Sequence, residues 1–180
     1  TFQDMGLVGS ETVRANVLLT QSWLAPTPAG ASVFGLGTSV FEERQLRRRA
    51  DLALELFGLR HLADVRLGDL PYGTARVVEI ASAVAAGPDL LLLDEASAGL
   101  GPEESHALGD RFLALRDELG LTLVVIEHHV PLVARVCDYV YCLDSGSLIA
   151  QGPPDAVTQS PQVIASFLGR SEATSGGVRG

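Results

Sequence analysis

In this 180-residue chain, residues 89–101 have the sequence DLLLLDEASAGLG, which is the clearest indication of the fold. Four consecutive leucines, Leu90 to Leu93, predict a short strand that is buried on both faces, as in a parallel sheet covered by helices. Acidic side chains seldom follow such a strand without a ligand, and open parallel sheets bind ligands at the carboxyl ends of their strands. Asp94 and Glu95 are therefore predicted to face a cationic or metal-bound ligand. A solvated acidic turn is the alternative interpretation of the same residues.

The composition of the chain excludes some functions. The formal net charge is −9, which argues against nonspecific binding to nucleic acid, because such binding needs a basic surface. Cys137 and Cys142 lack the spacing of metal ligands and are predicted to be buried, reduced thiols. All 13 basic residues are arginine, so the chain contains no phosphate-binding loop of the form G-x-x-x-x-G-K-[ST]. The first residue is Thr1, which fits a fragment or a chain that has lost its initiator methionine.

The pattern along the chain predicts an α/β fold. After residue 87, strands alternate with helices, which favours a mainly parallel sheet core. Residues 12–86 show helical periodicity without a strand and predict a separate helical layer. The uncharged segment 15–41 is interrupted by proline and glycine, so we expect a loop or broken helix beside an apolar partner rather than a membrane span. The small, polar tail 170–180 is predicted to be disordered.

Four short motifs follow one another in a fixed order: TFQ (1–3), LPYGT (70–74), LLLLDE (90–95) and VVIEHH (124–129). In this order they resemble the ATP-binding subunit of ABC transporters. The L-P-Y-G sequence is similar to the form found in branched-chain amino acid importers. The resemblance covers about Thr1 to Gly169. It implies the C-terminal part of a P-loop NTPase-type nucleotide-binding domain, without the N-terminal part that carries the phosphate-binding loop.

The resemblance also implies a division of the chain. Residues 1–86 would hold the glutamine loop, the helical subdomain and the signature helix. Residues 87–169 would hold the Walker B strand, the D-loop, the switch histidine and the C-terminal helices of the catalytic core.

The resemblance assigns catalytic roles in ATP hydrolysis, with ATP and Mg²⁺ as cofactors. Asp94 and Gln3 would hold the metal, Asp94 through a water, because Mg²⁺ keeps most of its hydration shell. Glu95 would polarise the attacking water as a general base. His128 would donate a hydrogen bond to the γ-phosphate without adding a full charge.

A second set of residues is expected to act across a dimer of two nucleotide-binding subunits. The signature residues Leu70, Pro71, Tyr72, Gly73 and Thr74 open a helix, where free N–H groups and the helix dipole favour an anion. They would bind, in trans, the ATP that the other subunit holds. The D-loop residues Ser97, Ala98, Gly99, Leu100 and Gly101 would cross the same interface.

The chain departs from the family pattern at several positions. Thr74 replaces the usual glutamine of the signature, and Gly101 replaces an asparagine or aspartate of the D-loop. Ala96 replaces a common proline, Ser82 an arginine, and His129 an aspartate. We expect these changes to affect turnover and communication between subunits more than the fold.

The resemblance implies an ATP-hydrolysing subunit, peripheral to the cytoplasmic face of the cell membrane, that energises import of branched-chain amino acids or related small solutes. Its partners would be a second ATP-binding subunit in a homo- or heterodimer, transmembrane permease subunits and, indirectly, a solute-binding protein, with no nucleic acid. The alternative is a truncated, non-catalytic module that only docks to a partner. An ABC-type ATPase of DNA repair or translation is disfavoured by the importer-like motifs. The 180-residue piece alone is expected to be inactive.

Overall fold

The computed structural model describes residues 7–24 and 40–166. The main helices are α1 (Val13–Leu24), α2 (Val40–Leu56), α3 (Tyr72–Ala85), α4 (Pro102–Leu119), α5 (Val130–Val136) and α6 (Pro154–Thr158). The strands are β1 (Leu90–Asp94), β2 (Thr122–Ile126), β3 (Val140–Asp144) and β4 (Ser147–Gly152). Residues 161–166 are also helical. Gln3 and the tail 170–180 lie outside the described residues.

The chain forms two compact units, and the division falls between Ile126 and Glu127. The first unit contains α1 to α4 with β1 and β2, and the second contains α5, β3, β4 and α6. The helical segment and the leucine strand therefore belong to one unit. The functional division at residues 86 and 87 stays a prediction.

The helical layer predicted for residues 12–86 is present in the described part of that segment. Helix α1 begins after Thr12, whose Oγ1 accepts a hydrogen bond from the Ala15 N–H at 3.2 Å. This bond satisfies one of the N–H groups that a helix start leaves free. Val13 and Val17 of α1 are fully buried, and α1, α2 and α3 pack against one another. Among the described residues, no helix has the length and apolar content to cross a membrane.

Strands β1 and β2 form a parallel pair in a register that runs from Leu90 opposite Thr122 to Asp94 opposite Ile126. Side chains alternate between the two faces of a strand. Leu91 and Leu93 are buried, whereas Leu92 is 68% exposed and Ile126 62% exposed. The prediction that the leucine strand is buried on both faces is wrong for the described residues. A short run of leucines indicates that at least one face is buried, whereas burial of the second face needs a further covering layer.

We call the exposed side of this pair the open face. It consists of four half- to mostly exposed apolar side chains: Leu90, Leu92, Val124 and Ile126. Asp94 lies on the same face, because it is two residues beyond Leu92 in the strand.

Helix α4 contributes three large side chains to the buried core of the first unit. Leu108, Phe112 and Leu115 recur at helical spacing and are fully buried. The helix ends at Gly120, whose φ of 66° is in the left-handed region and closes the helix C-terminus. Pro102 at the first position and Gly120 after the last are the residue types expected at the two ends of a helix.

The second unit contains an antiparallel hairpin of β3 and β4. Its turn residues Ser145 and Gly146 have φ values of 50° and 79°. Positive φ at both central residues is typical of the tight turns whose twist matches a hairpin. Helix α6 packs against both strands and against α5.

Candidate functional site

The two acidic residues lie where the sequence predicts them, at the carboxyl end of a parallel strand. Asp94 is the last residue of β1 and is half-buried, and Glu95 follows it in an exposed position. Glu95 has a φ of 48°, in the left-handed region that non-glycine residues rarely adopt. Such a conformation persists only when surrounding interactions hold it.

The peptide group between Asp94 and Glu95 is held by two hydrogen bonds. The Asp94 carbonyl accepts a hydrogen bond from Arg76 Nη2 at 2.9 Å. The Glu95 N–H donates to the Ile126 carbonyl at 2.8 Å. Both polar groups of this peptide are therefore hydrogen-bonded, one to α3 and the other to β2.

The five signature residues lead into α3. Leu70 follows a short 3₁₀ turn, Pro71 is the N-cap residue, and Tyr72 is the first residue of the 14-residue helix. No side chain caps this helix start, because Pro71 has no side-chain acceptor. Tyr72 is 68% exposed, and Gly73 and Thr74 are half-buried.

The structure brings the signature and the D-loop together within one chain. A Cβ atom built on Gly99 would lie 3.0 Å from Tyr72 Cε1, so the aromatic ring packs on this glycine. A Cβ atom built on Gly73 would lie 2.8 Å from Leu100 Cδ2. Gly99 also has a φ of 76°, which glycine adopts without steric penalty. A side chain at either position would therefore force its neighbour, Leu100 or Tyr72, to shift.

The D-loop itself is a series of turns that follow Glu95. The Ala98 N–H donates to the Glu95 carbonyl at 3.0 Å, and the Leu100 N–H donates to the Ser97 carbonyl at 3.1 Å. Ser97 is buried. The Gly101 N–H donates to Glu104 Oε2 at 2.8 Å, which fixes the start of α4.

Sequence reasoning missed Arg76 and Glu104. The signal for Glu104 was its place as the third residue of a helix that starts with proline, where an acid can bond the N-cap N–H. The signal for Arg76 was its spacing of three residues from Glu79 on the signature helix, which places the two side chains on one face.

His128 and Gln3 are the remaining predicted catalytic and metal-binding residues. His128 is exposed, lies two residues after β2 and belongs to the second compact unit. Gln3 lies outside the described residues. Their roles stay predictions.

The donor set suits Mg²⁺ better than a metal that needs a full protein cage. Within the described ranges, no group of three or more histidine, cysteine, aspartate or glutamate side chains could hold a metal ion. Mg²⁺ is usually held by one or two carboxylates together with substrate phosphates and water. Asp94, at the end of β1, fits the part of a single metal-holding carboxylate in that pattern.

An open cavity of about 250 Å³ lies beside the signature. Gly73 and Thr74 line one side of it, and Arg111 of α4 lines another. Burial lowers the pKa of the Arg111 guanidinium, and the nearby Asp110 carboxylate acts in the opposite direction. The signature therefore borders a partly desolvated cation as well as its own helix N-terminus.

Comparison of the sequence with known proteins assigns the chain to a family. The sequence model of the ABC transporter family matches residues 1–98. The high-affinity branched-chain amino acid transport ATP-binding protein LivG of Salmonella typhimurium is 34% identical over 173 residues, which cover 95% of this chain and 67% of LivG. BraF of Pseudomonas aeruginosa, a protein of the same description, is 33% identical with the same coverage.

Solved structures agree with the sequence comparison. The ADP conformation of MJ1267, an ATP-binding cassette of an ABC transporter, has a TM-score of 0.71 and 27% identity over 89% of this chain and 64% of that one. A dimeric structure of the ABC transporter cassette MJ0796 has a TM-score of 0.68 and 25% identity. The chain spans about two thirds of the length of these relatives. The predicted α/β nucleotide-binding fold is confirmed, and the chain belongs to the ABC transporter family.

Proposed function

We propose that this chain is the part of an ATP-hydrolysing subunit that runs from the glutamine loop to the C-terminal helices, and that the complete subunit drives import of branched-chain amino acids or related small solutes. The solute class rests on the names of LivG and BraF. The catalytic part of the proposal rests on the site.

The observation that carries the proposal is the position of Asp94 and Glu95. Phosphoryl transfer depends on positioning and charge stabilisation rather than on covalent chemistry by the protein. Asp94 would hold Mg²⁺, which neutralises charge on the phosphates when bound. Glu95 would orient and polarise the attacking water, and its held backbone conformation supports a positional role. His128 and Gln3 would complete the set, at the γ-phosphate and the metal.

The signature and D-loop would serve a second nucleotide site. The N-cap residue Pro71 makes no side-chain cap at the start of α3, and a bound anion would take the place of that cap. A nucleotide held by a second ATP-binding subunit would supply that anion. The packing of Tyr72 on Gly99 supports this part of the proposal, because it brings the signature and the D-loop side by side, where both would face the same partner. Permease subunits at the cytoplasmic face of the membrane would be the other partners.

The test uses the natural polypeptide that contains this chain. In Glu95→Gln, we expect ATP turnover to fall by about a hundredfold or more, because the general base is lost while the side-chain shape is kept. ATP binding should remain within about twofold of wild type, since the phosphate contacts are unchanged. Glu118→Gln, an exposed glutamate near the end of α4, is the matched control and should behave as wild type. Wild-type turnover in Glu95→Gln would refute the assigned role.

A non-catalytic docking module is the second candidate. Thr74 and Gly101 support it, because each replaces a polar family residue at the proposed interface. A wild-type polypeptide that binds its partner subunits but neither binds nor hydrolyses ATP would favour this candidate over the first.

A further inference from the structure

We propose that Arg76 is a positioning residue that couples the signature helix to the catalytic glutamate. The inference rests on the proposed function, since it assigns a role in the reaction of the same site. It concerns a residue outside the four motifs, and it starts from the hydrogen bonds of one side chain.

The Arg76 side chain bridges two elements. Its Nη2 donates to the Asp94 carbonyl at 2.9 Å, and its Nη1 pairs with Glu79 Oε2 at 2.7 Å. The two side chains are only 20% and 18% exposed, so water screens the pair weakly. Charge-assisted hydrogen bonds in such surroundings are shorter and stronger than neutral ones. Glu79 therefore orients the guanidinium, and the guanidinium holds the end of β1.

The held group is the peptide between the two acids. Its N–H is bonded to the Ile126 carbonyl, so the Arg76 bond fixes the opposite edge of the same plane. Glu95 follows directly with a φ of 48°, a conformation that relaxes if the peptide is free to rotate. Loss of the Arg76 bond would thus change the direction of the Glu95 side chain without touching its carboxylate.

The same helix carries the signature. Arg76 is four residues after Tyr72, which packs on Gly99. A displacement of α3 caused by a partner at the signature would therefore move the Asp94–Glu95 peptide. Arg76 makes the orientation of the glutamate depend on the position of the signature helix.

The kinetic test compares Arg76→Gln, Arg76→Lys and Arg47→Gln in the natural polypeptide. Arg47 is the matched control, because it forms an exposed ion pair of similar geometry with Glu43 on α2. In Arg76→Gln, kcat should fall by about tenfold or more with KM for MgATP within about twofold of wild type, since the water is misaligned while nucleotide contacts remain. Arg76→Lys should recover part of kcat, because an ammonium can still donate to the Asp94 carbonyl. The inference would be overturned if Arg76→Gln raised KM for MgATP without changing kcat. It would also be overturned if Arg76→Gln and Arg47→Gln had the same kcat.

A second measurement, on the natural polypeptide that contains this chain, does not depend on catalysis. Amide hydrogen exchange of Arg76→Gln should be faster at Glu95 by about tenfold or more relative to the remaining amides of β1, because one edge of its peptide is released. Uniformly faster exchange along β1 would mean that Arg76 only stabilises the fold, and unchanged exchange at Glu95 would mean that the peptide is not held by Arg76. Either result overturns the inference, even if the polypeptide proves to have no ATPase activity. If the wild-type polypeptide has no ATPase activity but Arg76→Gln still speeds amide exchange at Glu95, the proposed function is refuted and the inference on Arg76 stands.

Discussion

Gly99→Ala tests the contact between the signature and the D-loop with a single methyl group. Gly99 has a φ of 76°, and alanine in the left-handed region is destabilised by about 1 to 2 kcal/mol. The new Cβ would also lie 3.0 and 3.1 Å from two ring atoms of Tyr72, so the ring must move by a few tenths of an ångström. Overpacking of this kind adds about 1 kcal/mol when the neighbour can yield. We therefore expect a total loss of about 2 to 3 kcal/mol.

Gly120→Ala is the control that isolates the backbone contribution. Gly120 has a φ of 66°, and a Cβ atom there would meet nothing within 4 Å. Its substitution should cost only about 1 to 2 kcal/mol. The difference between the two variants, about 1 kcal/mol, measures the contact with Tyr72.

The assay is urea denaturation of the 180-residue chain followed by circular dichroism, with Tyr72→Ala as a second background. In that background, Gly99→Ala should cost no more than Gly120→Ala, because the ring is gone. Equal losses for the two glycine variants in the wild-type background would show that Tyr72 does not pack on Gly99. An undiminished loss in the Tyr72→Ala background would refute the reasoning in the same way.

Three further variants or measurements test other parts of the molecule. Phe112→Ala removes a fully buried ring and should lower the free energy of unfolding by about 3 to 5 kcal/mol, whereas Leu119→Ala, at a 53% exposed position, should lower it by less than about 1 kcal/mol. Similar urea midpoints for the two would contradict the assigned core. Burial raises the pKa of the Cys137 thiol, so its alkylation by iodoacetamide, followed by peptide mass spectrometry, should accelerate at higher pH than that of a free cysteine peptide. Coincident pH profiles would show that the thiol is not shielded. Leu92→Lys should raise the solubility of the chain and change its stability by less than about 0.5 kcal/mol, whereas Leu91→Lys buries a charge and should prevent folding. A soluble, folded Leu91→Lys variant would mean that the two faces of β1 have been assigned the wrong way round.

Local sequence signals predict the elements of this chain well. Helix α3 begins where a proline and glycine precede an apolar stripe, and Val77, Ile80 and Ala81 of that stripe are buried. Helix α4 begins at its proline and ends at its glycine. These signals act within one or two turns of the chain, so a single sequence contains them in full.

Contacts between distant residues were not predictable in the same way. The exposed side of β1 depends on what covers the sheet, and a run of leucines is the same whether one face or both are covered. The bond from Arg76 to the Asp94 carbonyl joins residues 18 apart in sequence and depends on the angle at which α3 crosses the strand end. The packing of Tyr72 on Gly99 depends on the same angle. Sequence motifs locate the candidate residues, and the crossing of helix and strand decides which of them touch.

At the open face, binding of a covering polypeptide segment and binding of a cation to the carboxylate would influence each other. Asp94 lies on that face with Leu92 and Ile126. A polypeptide segment that covers these two apolar side chains would therefore also remove water from the Asp94 carboxylate. The loss of hydration at Asp94 opposes the gain from burying Leu92 and Ile126, and a divalent cation bound to this carboxylate would offset that loss. Binding of such a segment and binding of the cation should therefore strengthen each other, and a titration with one should raise the measured affinity for the other.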